Sequence, residues 1–158
     1  MIRNDIVVGI DGSPSARAAL HWAAEHARRQ GAPLRAVYVF DPPLGSDARG
    51  RPFVLEDLVF RPDDEVPAGE RIDMNALFAE VRPGADWRIE FVRGEAGRVL
   101  VEESRHSRLL VIGSHEHVGL GRVLNGSVSH FCLSHATCPV VAVPSPRVPK
   151  GSTDEPTP

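Results

Sequence analysis

Lysine is almost missing from this chain of 158 residues: of 18 basic residues, Lys150 is the single lysine. Such an arginine bias follows from a GC-rich coding sequence as readily as from a binding role, so it assigns no function. Cysteine is scarce as well. Cys132 and Cys138 cannot form a disulfide framework, and in a reducing compartment they read as small buried apolar residues. No apolar run approaches the roughly 18–20 residues needed to span a bilayer, which excludes a spanning helix and leaves no membrane partner. The first residues precede only a short apolar run at 6–10, broken by Gly9. That is shorter than a secretory apolar region of about 7–15 residues, so a cytoplasmic location is expected. Neither sign of charge dominates: 21 acidic residues against 18 basic ones leave a net charge of −3. Interspersed acids such as Glu95, Glu102 and Glu103 turn Arg93, Arg98 and Arg105 into ordinary solvated faces, and no nucleic-acid partner is expected.

What is present fits one globular domain. Hydrophobic residues make up 42% and charged residues 25%, both near globular averages, and the length matches a domain of about 150 residues. The run at 5–10 is β-branched and ends at Asp11-Gly12-Ser13-Pro14. Ser13 can cap a helix whose first turn accepts Pro14, and Ala16, Ala19, Leu20, Ala23 and Ala27 then recur at helical spacing. Gly31 suits a left-handed stop. A second apolar strand covers residues 34–40. Strand, helix, strand with continuous apolar strands indicates a parallel sheet covered on both faces.

Residues 41–70 break the pattern with Pro42, Pro43, Pro52, Pro62 and Pro67 and read as a variable, mobile segment. A helix is expected over residues 71–82. Trp87, Ile89 and Phe91 alternate with charged residues, as in a half-exposed edge strand. Ala96, Val99 and Leu100 face inward on the next helix, and residues 109–112 form a central strand. Leu124, Val128, Phe131, Cys132 and His135 mark the inner face of a last helix, and residues 139–143 form the last strand. Residues 145–158 read as a disordered tail. The sum is an open, doubly wound α/β sheet, Rossmann-like, with its domain over residues 1–144. Ligands of such sheets sit at the carboxyl ends of strands where the order reverses.

Two strand ends stand out, Asp11-Gly12-Ser13 and Gly113-Ser114-His115-Glu116, the second followed by a glycine-containing loop to Gly126-Ser127. Glycines and a helix start can gather backbone N–H groups around a phosphate. The plainer reading is a flexible connection that binds nothing, and glycine content alone leaves both open. The Walker A motif, the G-x-G-x-x-G fingerprint and the G-x-S-x-G nucleophile elbow are all absent from the sequence.

The segments at residues 6–13, 111–115, 125–129 and 138–143 together resemble the universal stress protein family, in order and spacing, over about residues 4–144. The resemblance implies a five-stranded parallel sheet of order 3-2-1-4-5 and a homodimer paired through the last strand. Nucleotide-binding members carry Gly, two residues, Gly, nine residues, then Gly-Ser or Gly-Thr. Gly113 matches the first glycine, and Gly126 with Ser127 matches the end, next to Val128. Asp11 matches the acidic residue that contacts adenosine, beside Gly12 and Ser13, and Val39 matches the residue that holds adenine. Ser114 follows the first glycine. The implied ligand is ATP or another adenine nucleotide.

Glu116 stands where the second glycine is expected. A left-handed glutamate costs about 1–2 kcal/mol, and a carboxylate beside phosphates is repulsive unless a cation bridges them. Weakened or altered nucleotide binding is therefore expected, and Glu116→Gly should strengthen ATP binding. His115, Glu116 and His117 do not have the spacing of a dedicated metal site. A Mg²⁺ shared between Glu116 and a phosphate fits better than zinc. No catalytic residue is assigned, since Asp11 has no identifiable partner base. The leading expectation is a stress-linked regulator or sensor that binds an adenine nucleotide. The alternatives are a dimeric interaction module that binds no ATP and acts through a client protein, and a slow ATPase or metal-dependent hydrolase.

Overall fold

The computed structural model describes residues 3–40, 66–114 and 127–146, with only the backbone of Ser127. Residues 41–65, residues 115–126 with Glu116 and Gly126, and the tail from residue 147 lie outside them. Five strands form one sheet: β1 (Ile6–Ile10), β2 (Leu34–Phe40), β3 (Arg88–Arg93), β4 (Leu109–Ser114) and β5 (Val140–Pro144). All pairings are parallel and the order is β3-β2-β1-β4-β5, the architecture expected from the sequence. The order reverses between β1 and β4, so the chain leaves these neighbours in opposite directions and opens a crevice at their carboxyl ends.

Four helices cover the sheet: α1 (Pro14–Gln30), α2 (Ala68–Glu80), α3 (Ala96–Glu103) and α4 (Ser127–His135). Alternate strand residues point to opposite faces. Ile6, Val8 and Ile10 pack with Ala19, Leu20 and Ala23 of α1 and with Met74, Leu77 and Phe78 of α2. Val7, Val37 and Ile112 pack on the other face with Leu100 of α3 and Cys132 of α4. Both faces of the central strands are thus dry, which explains their unbroken apolar sequence; burying each such aliphatic side chain contributes about 1.5–3 kcal/mol. No helix among the described residues is long and apolar enough to cross a membrane.

Helix α1 begins and ends as its sequence dictates. The Ala16 N–H donates to Ser13 Oγ at 3.2 Å, and Gly31 closes the helix at φ 58°. Such a serine cap contributes about 1 kcal/mol. Its alanines let the helix sit close over β1 and β4.

Three expectations are corrected. Helix α2 starts at Ala68 rather than at residue 71, so the last residues of the segment expected to be mobile are helical. Its start has no side-chain cap, and Pro67 sets the entry through its fixed φ of −51°. The last strand is shifted by one residue, to Val140–Pro144: Pro139 has no N–H and takes part through its carbonyl, which accepts from Leu110 N at 3.0 Å. His135 was expected on the inner face of the last helix but is exposed. It stacks on Phe131 with ring centroids 4.1 Å apart, while Ser129 and Cys132 alone are buried along the described part of α4.

At the amino end of the sheet, far along β2 from the crevice, Arg35 is buried to 2% exposure. It pairs with Asp5 at 2.6 Å, Glu103 at 2.9 Å and Glu90 at 3.3 Å, and donates to the Glu103 carbonyl at 2.6 Å. Burial works against its charge, but the hydrogen bonds of Asp5 and Glu103 and the charges of Asp5 and Glu90 outweigh it, and its pKa rises above the usual guanidinium value. One side chain therefore ties β1, β2, β3 and the end of α3 together.

Candidate functional site

The turn after β1 builds one wall of the crevice. Asp11 Oδ1 accepts the Ser13 N–H at 2.8 Å, the short-range turn that aspartate favours. Gly12 between them takes φ 80°, the left-handed region where a side chain is strained. Ser13 Oγ then caps α1 and lies 3.3 Å from Ser15 Oγ. Of the donors at the start of α1, the Ser13 N–H goes to Asp11 and the Ala16 N–H to Ser13 Oγ, while Pro14 has none.

The end of β4 runs against the same turn. A Cβ at Gly113 would stand 2.6 Å from the Ser15 carbonyl carbon and 2.7 Å from both Ala16 N and Ser15 Oγ. Only a glycine permits this approach, so Gly113 has a packing reason to be glycine independent of any ligand.

Between these walls lies a cavity of about 260 Å³. Val37 and Val39 of β2, Leu100 of α3 and Ile112 of β4 give it an apolar side, and Asp11, Ser13, Ser15 and Ser129 give it a polar one. Among the described residues that line it, Asp11 carries the sole charge. Of the residues singled out from the sequence, the structure brings Asp11, Ser13, Val39, Gly113 and Val128 to this cavity. Gly12 and Ser114 adjoin it without lining it. Ser127 opens α4 beside Val128. Glu116 and Gly126 lie outside the described residues.

Sequence reasoning missed Ser15, Ser129, Ala96 and Leu100 as lining residues. Leu100 was read only as core. Ser15 and Ser129 are buried hydroxyls on helices otherwise sealed by apolar residues. The available signal was their phase: Ser15 falls one turn before Ala19 and Ser129 one turn before Cys132, both inner-face positions.

Behind the cavity, on the opposite face of β2, Tyr38 donates its hydroxyl to Glu70 Oε2 at 2.5 Å. Burial, then the Glu70 hydrogen bond and the charges of Glu70 and Asp11, push its pKa up to about 12. On the α3–α4 side, burial pushes the Cys132 thiol up to about 11, with a further contribution from Cys138. Among the described residues no group of three or more His, Cys, Asp or Glu side chains could hold a metal ion.

With this geometry in view, a sequence profile of the universal stress protein family matches residues 3–144. A universal stress protein of Mycobacterium tuberculosis is 34% identical over 148 residues, covering 89% of this chain and 48% of its own length. The chain spans about half the length of the curated relatives it matches. Among solved structures, a universal stress protein in complex with cAMP superimposes with a TM-score of 0.62 at 22% identity, covering 90% of this chain and 98% of that one. The universal stress protein from Archaeoglobus fulgidus in complex with dAMP gives a TM-score of 0.58 at 20% identity, covering 90% and 99%.

Proposed function

The chain belongs to the universal stress protein family, and from that premise we propose that it binds an adenine nucleotide in the crevice between the ends of β1 and β4. The observation that carries the reading is the cavity itself: an apolar side from Val37, Val39, Leu100 and Ile112 facing a polar side from Asp11 and three serines. A nucleoside has the matching two characters, a flat apolar base and a sugar rich in hydroxyls. Asp11 has a second carboxylate oxygen beyond the one held by Ser13 N, and a carboxylate is a strong acceptor for sugar hydroxyls. Gly113, Gly126 and Ser127 are assigned in this proposal to the phosphate end, with α4 beginning at Ser127. That family neighbours were solved with cAMP and dAMP supports the ligand class.

The proposal extends to a binding role rather than catalysis, a stress-linked regulator or sensor in the cytoplasm that acts on a client protein. It includes a homodimer formed along β5. That strand is the edge of the sheet, with β4 on its inner side, and a free parallel edge is a template for a second strand.

Titration calorimetry of nucleotide-free protein with AMP, cyclic AMP and ATP, each with and without Mg²⁺, tests the reading. Saturable binding of at least one supports it, and a strict Mg²⁺ requirement implicates a cation between Glu116 and a phosphate. No binding of any at millimolar concentration would contradict it. Function would then move to the second reading, an interaction module without nucleotide, which the Glu116 substitution favours.

A further inference from the structure

We infer that α2 is the element through which this domain responds to its ligand: occupancy of the crevice holds the start of α2 against the sheet, and release of that start weakens the crevice. The inference rests on the nucleotide reading and adds its regulation. Three observations carry it. First, two backbone segments that wall the cavity carry α2 on their other side. Val39 lines the cavity. Its neighbour Tyr38 points to the opposite face of β2 and donates its hydroxyl to Glu70, in the first turn of α2, at 2.5 Å. Asp11 lines the cavity too, and Gly12 beside it lies against α2: a Cβ at position 12 would stand 3.1 Å from Met74 Cε. Second, α2 is held unequally at its two ends. Its carboxyl end is tied to α1 by Arg17 and His21, which meet Glu80 at 3.2 and 3.3 Å, and by Arg28, which donates to the Val81 and Arg82 carbonyls. Its start has no side-chain cap, and residues 68–71 bury no side chain. Between the buried side chains of Val66 and Met74 it is fastened at the surface, by Tyr38 on Glu70 and by the Arg71 guanidinium 4.4 Å from the centre of the Phe91 ring. Third, the charge of Asp11 reaches this fastening: after burial and Glu70, it is among the causes that raise the Tyr38 pKa.

A helix held firmly at one end and by surface contacts at the other opens from the weaker end. Opening there frees Tyr38 and uncovers the back of the Asp11–Gly12 turn. Val39 and Asp11 then lose the support that fixes them as cavity walls. A ligand that needs both walls binds the docked form in preference, and such a difference in affinity is what lets a ligand shift a conformational equilibrium. The coupling is reciprocal, so whatever undocks the start of α2 weakens binding.

The test is amide hydrogen exchange of the full chain, read by mass spectrometry over residues 71–75. It is run without ligand and with whichever of AMP, cyclic AMP and ATP saturates in calorimetry. An opening that abolishes binding is suppressed by a factor of 1 + [L]/Kd, about elevenfold at about ten times Kd, and slowing of at least about threefold is expected in this segment. Tyr38→Phe, which keeps the ring against Phe91, and Glu70→Ala each remove the fastening. Both are expected to speed ligand-free exchange of residues 71–75 by at least about threefold, the scale of one hydrogen bond, and to leave residues 97–103 of α3 unchanged. Exchange at residues 71–75 that ignores the ligand overturns the inference and leaves the nucleotide reading intact. Slowing by one common factor throughout the chain also overturns it, because that reports global stabilisation, and so does unchanged exchange in both variants. Failure of all three nucleotides to bind in calorimetry overturns the nucleotide reading and the inference together.

Discussion

Gly113 at the end of β4 and Ser15 in the first turn of α1 are in such close contact that a methyl group at 113 would stand 2.6 Å from the Ser15 carbonyl carbon. The atoms met are backbone and cannot swing away. This contact joins the two strand ends that form the cavity, so it couples packing to the site.

Gly113→Ala should therefore destabilise the fold by about 1–3 kcal/mol, the usual cost of overpacking, and widen the gap between β4 and α1. Urea unfolding reads the first effect. If Gly113 served only a ligand, the apo protein would be as stable as the wild type.

Arg35 should prove the most sensitive polar position. Arg35→Met leaves Asp5, Glu90 and Glu103 without the cation they share. Removing one partner of a buried ion pair costs about 3–5 kcal/mol. Denaturant unfolding should show a loss of that order, against a change within about 0.5 kcal/mol for the exposed Arg98→Met.

Tyr38 is the single tyrosine of the chain, so phenolate absorbance reports it alone. Its pKa should stand near 12 in the folded protein, raised from an ordinary value of 10.0. A raised folded pKa means that the contribution to stability is fully present below pH 10 and is lost as pH climbs toward 12. Glu70→Gln should bring the titration midpoint down, since the Glu70 hydrogen bond and charge add to the effect of burial.

Cys132 should resist alkylation in the native state. Its thiol is fully buried and pushed up to about 11, which leaves almost no thiolate at neutral pH. Iodoacetamide labelling followed by mass spectrometry should show Cys132 modified far more slowly in folded protein than in urea. Equal rates would mean that α4 opens freely from the sheet.

The parts of the fold governed by local chemistry were legible in the sequence. Residues 34–40 read as a strand and form β2, because apolar and aromatic residues fill every position there except Arg35. Helix α1 announced both ends through Ser13, Pro14 and Gly31. Helix α2 did not, because Pro67 caps it without a side-chain hydrogen bond and Gly69 sits in its first turn. Asp11, Ser13, Val39, Gly113 and Val128 were found through a family pattern, and all five line one cavity. Ser15 and Ser129 were not found: their phase with Ala19 and Cys132 marks an inward face, but a small hydroxyl there looks the same in sequence whether it packs in a core or lines a cavity. Arg35 was hidden for a similar reason. In a chain whose basic residues are almost all arginine, nothing local marks the one that is buried, and its partners come from positions 30, 55 and 68 residues away.

The central claim is that the cavity between β1 and β4 holds the nucleotide, and filling it is the most direct test. Ala96 lines the cavity from the start of α3, and Ala96→Leu adds apolar volume there. Cyclic AMP titrated calorimetrically into wild type and variant should bind saturably to the first and lose at least about tenfold in affinity, 1.4 kcal/mol, in the second, with unfolding temperatures kept alike. Undiminished binding to the filled variant, or no saturable binding of AMP, cyclic AMP or ATP to the wild type at millimolar concentration, would contradict the account.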